Sequence, residues 1–208
     1  MRSLFTIFLL ATLPLAFAND AKSVGDFSLQ DAQGKTRSLS DFDGQLVVLE
    51  WTNFQCPCVK KHYDSRKMQV LQAHAGNKEV VWLTICSSPE GAKGYFTAAL
   101  VNKIVDGIGA KPTAYLCDAD GKVAKQFGVK FTPHMVILSK DHTVLYSGTI
   151  SNEQAVEANP EVTPVNFFKN ALDAVLSGNP ASPATGTQVG CPIRMTKTPL
   201  AQARTPQE

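Results

Sequence analysis

Hydrophobic and polar residues alternate from Asp26 to Ser40 around the turn Asp31-Ala32-Gln33-Gly34, which predicts a β-hairpin. Leu46 to Trp51 is apolar at all positions but one and follows the Asp43-Gly44 turn, so it reads as a central strand. From Pro57 to Ala75 apolar residues fall at helical spacing, with Val59, Tyr63 (or His62), Val70 and Leu71 directed to the core; Gly76-Asn77 closes the helix. Glu79 to Cys86 is a second buried strand. Phe96 to Val105 is a helix, Thr113 to Cys117 a short strand and Val123 to Phe127 a short helix. Met135 to Leu138 and Val144 to Ser147 form a closing hairpin. Val165 to Leu176 is the last helix. This order, hairpin, β-α-β-α-β, hairpin and helix, predicts an α/β fold with a parallel core and an antiparallel edge, hence a mixed sheet.

The first eighteen residues stand apart. Arg2 precedes the apolar run Leu4 to Phe17, and Ala16-Phe17-Ala18 is a small-x-small cleavage signal. The run is too short for a comfortable membrane span and is broken by Pro14. The expectation is a signal peptide cleaved after Ala18, an exported, periplasmic chain and no stable membrane insertion. Cleavage removes one arginine and no acid, leaving 190 residues near a net charge of +1. Such a charge gives no footprint for nucleic acid. The expected division is residues 1–18 as leader, 19–176 as one domain and 177–208 as a flexible tail rich in Pro, Ser, Thr, Gly and Ala.

Export implies an oxidising compartment, in which disulfides persist. The five cysteines are Cys56, Cys58, Cys86, Cys117 and Cys191. An odd number leaves at least one without an intramolecular partner, which suits a reactive cluster better than a structural framework. Cys56 falls where a strand gives way to a helix, and Pro57 fits the first helical position. Unpaired N–H groups, the positive dipole end and the neighbouring Lys60 and Lys61 favour a thiolate there. Cys58 can resolve an oxidised Cys56 or turn into packing. Cys191 can reach the site as a resolving thiol or remain a tail cysteine. Cys86 and Cys117 read as small buried hydrophobes.

Several segments carry a resemblance. Asp26-Phe27-Ser28-Leu29, Gly34-Lys35, Leu39-Ser40-Asp41-Phe42-Asp43-Gly44, Val47 to Trp51, Cys56-Pro57 and Thr132-Pro133 occur together and in order over roughly residues 24–176. They resemble the thioredoxin superfamily and, within it, the redoxin or peroxiredoxin-like (AhpC/TSA) branch. Asn53 to Tyr63 looks like an exported subgroup of that branch, and Thr132-Pro133-His134-Met135 and Gly190-Cys191 fit it too. The resemblance implies a three-layer α/β/α sandwich with a central mixed sheet and an N-terminal β-hairpin extension. It implies a cis peptide between Thr132 and Pro133 beside the active cysteine. It also implies thiol chemistry with a peroxide or disulfide substrate, an external thiol reductant or thioredoxin-like partner, and no cofactor.

The sequence departs from the family pattern in two places. Cysteines are two residues apart, not three as in thioredoxins. Leu49 and Asn53 stand where typical peroxiredoxins carry Pro and Thr, with Thr52 one place off. No motif locates the arginine that such enzymes set beside the thiolate, and the mature chain has only Arg37, Arg66, Arg194 and Arg204.

The first functional expectation is therefore an exported thiol oxidoreductase. Cys56 attacks, Cys58 is the first choice to resolve and Cys191 the second. Asn53, Pro57, Thr132, Pro133 and His134 form the wall of the site. The alternative is a copper-handling module in which Cys56 and Cys58 join His62 or His134 as soft ligands. A third possibility is a fold that has lost turnover. Glu50, at the sheet centre, needs a partner if buried and is a candidate for proton transfer.

Overall fold

The computed structural model describes residues 23–182 and 185–194. A seven-stranded mixed sheet runs in the order β2-β1-β5-β4-β3-β7-β8. Its strands are β1 (Ser28–Asp31), β2 (Thr36–Ser38), β3 (Val47–Trp51), β4 (Val81–Cys86), β5 (Ala114–Cys117), β7 (His134–Leu138) and β8 (Val144–Gly148). β3, β4 and β5 are parallel, while β1, β2, β7 and β8 pair antiparallel. β3, β4 and β7 are buried along their whole length, which explains their nearly continuous apolar sequences.

Each face of the sheet is covered. Val48, Trp82, Met135 and Ile137 pack under helices α1 (Pro57–Asp64), α2 (Lys67–Gly76) and α6 (Phe167–Leu176). Val47, Leu49, Trp51, Leu83, Ile85 and Val136 face the 3-10 turn Leu39–Phe42 and α4 (Lys122–Gln126). α3 (Ala98–Gly107) completes the helical set beside Cys86 and Tyr115. This is the thioredoxin-like three-layer α/β/α sandwich, with β1–β2 as the N-terminal hairpin. Burial of this many large apolar side chains on two faces is the principal source of its stability.

Val70, expected in the core, is exposed, and three segments also differ from the reading of the chain. The expected helix 57–75 is two helices. Arg66, with φ of 62°, breaks it in the left-handed region. The freed carbonyls are satisfied: Gln69 Nε2 donates to Tyr63 O at 3.1 Å and Ser65 Oγ donates to Lys61 O at 2.7 Å. Second, a short helix, α5 (Glu153–Ala158), follows β8.

Third, residues 185–194 of the expected tail pack against the domain. Thr185 bridges Ser147, Gln188 Oε1 accepts from Lys130 N at 2.9 Å, and β9 (Cys191–Pro192) pairs antiparallel with β6 (Phe131–Thr132). The expected leader, residues 1–18, lies outside the described residues. Among the described residues no helix is long and apolar enough to cross a membrane.

Candidate active site

Trp51 ends β3, and the chain turns through Thr52-Asn53-Phe54-Gln55 into α1. Asn53 shapes that turn: its Oδ1 accepts from Gln55 N at 2.8 Å and its carbonyl accepts from Cys56 N at 2.8 Å. Cys56 is then the N-cap of α1, Pro57 the first helical residue and Cys58 the next. Pro57 has no N–H to leave unpaired at that point.

The peptide Thr132–Pro133 is cis, and Cys56 Sγ lies 3.3 Å from the Thr132 carbonyl oxygen. Two fields of opposite sense therefore act on this sulfur. The start of α1 favours its negative charge, whereas a carbonyl acceptor at this distance favours the S–H form.

Cys191 arrives on the tail and forms a disulfide with Cys56, with Cα atoms 5.9 Å apart. It is placed by backbone pairing, since Thr132 and Cys191 are register partners in β6 and β9. Gly190 makes this approach possible. A Cβ there would lie 2.0 Å from Thr132 O, and its φ of 142° suits glycine alone. Cys58 is free and half-buried, yet its sulfur belongs to one group with those of Cys56 and Cys191, all within 4.8 Å of one another. The structure thus pairs Cys56 with Cys191, the second choice from sequence, and leaves Cys58 as the adjoining thiol.

His62 lines a cleft beside Cys58, but neither it nor His134 joins the sulfur group. His134 Nε2 shares a hydrogen bond with Ser147 Oγ at 2.9 Å, its Nδ1 is buried without a partner, and burial pushes its pKa down to about 4. His62 Nε2 stands 3.8 Å from Glu153, and burial lowers its pKa as well. Neither nitrogen joins the sulfur group, so the Cys-Cys-His set of the copper alternative is not assembled; a third sulfur stands in its place. Lys61 is also not an uncommitted cation, because it pairs with Glu157 and Glu153.

Two clefts meet at the sulfurs. One, of about 240 Å³, is lined by Thr52, Asn53, Cys56, Thr132, Lys93 and Arg194, among others. The Thr52 hydroxyl in its wall is buried and has no hydrogen-bond partner. Arg194 lines the cleft from the tail, a placement no motif announced. The other, of about 710 Å³, opens beside Cys58 and Pro133 and is walled by α5 and residues 185–189.

Behind the site, Glu50 is fully buried. Its carboxylate accepts from Tyr63 Oη and Trp82 Nε1, both at 2.8 Å, from Thr84 Oγ1 at 3.0 Å and from Gln72 Nε2 at 3.4 Å. Desolvation raises its pKa against these donors. Sequence reasoning placed Glu50 at the sheet centre but missed this set of donors, which come from three separate elements.

The sequence profile of the AhpC/TSA family matches residues 21–150. The chain belongs to the AhpC/TSA family. Membership brings thiol oxidoreductase chemistry in general and thiol-based redox partners. No curated protein matches the chain. Among solved structures, the chain is similar to a hypothetical protein from Sinorhizobium meliloti 1021, at 23% identity and a TM-score of 0.72, covering 85% of this chain and 94% of that one. It is similar also to an uncharacterized conserved protein from Geobacillus kaustophilus, at 23% identity and a TM-score of 0.73, covering 86% and 93%. At that identity the likeness carries the fold alone. This AhpC/TSA member therefore has its own arrangement of sulfurs to be read from its own residues.

Proposed function

We propose that this AhpC/TSA protein is an exported, periplasmic thiol oxidoreductase that cycles between a Cys56–Cys191 disulfide and the two thiols. The observation that carries the reading is the pairing of these two cysteines across the Thr132–Pro133 bend, at the start of α1. With a peroxide, the Cys56 thiolate attacks the terminal oxygen. The O–O bond breaks, an alcohol or water leaves, and Cys56 becomes a sulfenic acid. The Cys191 thiol then displaces water from that sulfur and forms the disulfide. With a disulfide substrate, Cys56 forms a mixed disulfide and expels one thiolate; Cys191 expels the other.

In either case two electrons leave Cys56 and Cys191. An external dithiol or thioredoxin-like reductant returns them by thiol–disulfide exchange. Thr52, Arg194 and Lys93 line the cleft from which a substrate would approach. No cofactor is needed for these steps.

Steady-state turnover of hydrogen peroxide and of a small disulfide by purified protein tests the reading. Cys56→Ser abolishes both; unchanged turnover of both overturns the assignment. Export is tested separately by the mass of the mature chain, expected to begin at Asn19.

A further inference from the structure

The disulfide accounts for two sulfurs of a three-sulfur group. Cys58 has no role in the cycle just described, yet its sulfur lies within 4.8 Å of both partners. We propose that reduction of the Cys56–Cys191 bond opens a three-thiolate site for one Cu(I) ion, formed by Cys56, Cys58 and Cys191. The inference rests on the redox reading in one respect, that Cys56 and Cys191 alternate between disulfide and dithiol.

The chemistry of the donor set selects the ion. Three thiolates form a soft site, which favours Cu(I), Zn or an iron–sulfur cluster over hard cations. Zinc and such clusters want four protein ligands or an added water. No histidine nitrogen or carboxylate oxygen joins the group among the described residues, so once the Cys56–Cys191 bond is reduced the group offers three sulfurs and no fourth protein ligand. Three-coordination by sulfur suits Cu(I).

The Thr132 carbonyl beside Cys56 opposes negative charge on the group, and several other neighbours favour it. Two of the sulfurs occupy the N-cap and second helical position of α1, where the dipole end is positive. Gln154 Nε2 lies 3.7 Å from Cys58 Sγ as a donor to it. The nearest acids on α5, Glu153 and Glu157, are held by Lys61 and Lys67. Access exists from both sides, since Cys58 lines the larger cleft and Cys56 and Cys191 line the smaller one.

The step balances. A dithiol reductant donates two electrons and two protons, becomes a disulfide, and leaves Cys56 and Cys191 as thiols. One Cu(I) then binds three thiols and releases three protons, giving a complex of charge −2. A disulfide substrate then accepts two electrons and leaves as two thiolates, Cys56 and Cys191 close to the disulfide, and the loss of two of the three ligands releases the ion. The site is consequently closed in the oxidised protein and open in the reduced one.

The test is an anaerobic titration of the reduced full chain, freed of reductant, with Cu(I) supplied as its complex with a chromophoric chelator. Reduced protein is expected to take one equivalent from the chelator, and oxidised protein none. X-ray absorption should show three sulfur neighbours and no nitrogen. Cys58→Ser and Cys191→Ser should each weaken retention beyond the roughly 10–100-fold that loss of an outer-shell partner costs. His62→Asn should keep it.

Copper retention equal in Cys58→Ser and wild type, retention by the oxidised chain, or a nitrogen neighbour lost with a histidine overturns the inference. Failure of the reduced chain to outcompete the chelator, with three thiols titratable, also overturns it and leaves the redox reading intact. Conversely, a chain whose Cys56 and Cys191 never pair but which holds Cu(I) through three sulfurs overturns both the redox cycle and its control of the site.

Discussion

Thr132 and Cys191 are register partners, 59 residues apart in the sequence. That pairing lays Cys191 over Cys56, so the tail is a built part of the site. Replacing Gly190 tests it. Gly190→Ala puts a Cβ against the Thr132 carbonyl and forces alanine into a backbone region that costs about 1–3 kcal/mol. Closure of the Cys56–Cys191 bond after oxidation should slow about 10-fold or more, while the thermal midpoint of the domain changes little. Rapid-quench alkylation measures the first and calorimetry the second; unaltered closure would mean that the ladder does not deliver Cys191.

Removal of Cys191 should strand the oxidised intermediate. Cys191→Ser treated with peroxide is expected to accumulate a sulfenic acid at Cys56, read as a dimedone adduct by mass spectrometry. Wild type should show only a trace, because the neighbouring thiol captures it. A disulfide between Cys56 and Cys58 forming in the variant as fast as the wild-type bond would give Cys58 the resolving role.

Glu50 ties β3, β4, α1 and α2 together through four donors. Glu50→Ala leaves Tyr63, Trp82, Thr84 and Gln72 without their shared acceptor and should cost about 3 kcal/mol in urea unfolding. The pH dependence has a definite sign. The folded pKa is raised above 4.5, so the native state holds this proton to higher pH than the unfolded chain. The contribution is complete below the unfolded value and is lost as pH rises through the folded one. Glu50→Gln removes that slope, and an identical slope in wild type and variant would contradict the assignment.

His134 acts in the opposite direction. Burial holds its pKa near 4, well below the ordinary 6.5. The unfolded chain therefore binds the proton first as the solution is acidified. Stability from the neutral, buried ring is complete above 6.5 and falls progressively between 6.5 and about 4, by at most about 3 kcal/mol. His134→Gln should flatten that acid limb relative to wild type. Parallel curves over this window would show that the ring is not held neutral.

Most of the architecture was legible because the buried strands announce themselves. Val47 to Trp51, Val81 to Cys86 and His134 to Leu138 are covered on both faces and read as apolar runs. Cys56 before Pro57 marked the helix start in the same way. The break at Arg66 was illegible, since neither glycine nor proline marks it and the capping donor, Gln69, sits three residues on. α5 was invisible because none of its six residues is buried, so it has no apolar face to detect. β9 is two residues long and carries no period. Its pairing depends on a glycine clearance that only the folded backbone defines. The same holds for Arg194, which reaches the cleft only because the tail does.

The most direct test is a disulfide map of the reduced chain after one equivalent of hydrogen peroxide, read by alkylation, proteolysis and mass spectrometry. The account predicts one cross-linked species joining the peptide of Cys56 to that of Cys191, with Cys58, Cys86 and Cys117 alkylated. An unmodified Cys56, or a bond from Cys56 to any other cysteine as the first product, would contradict it.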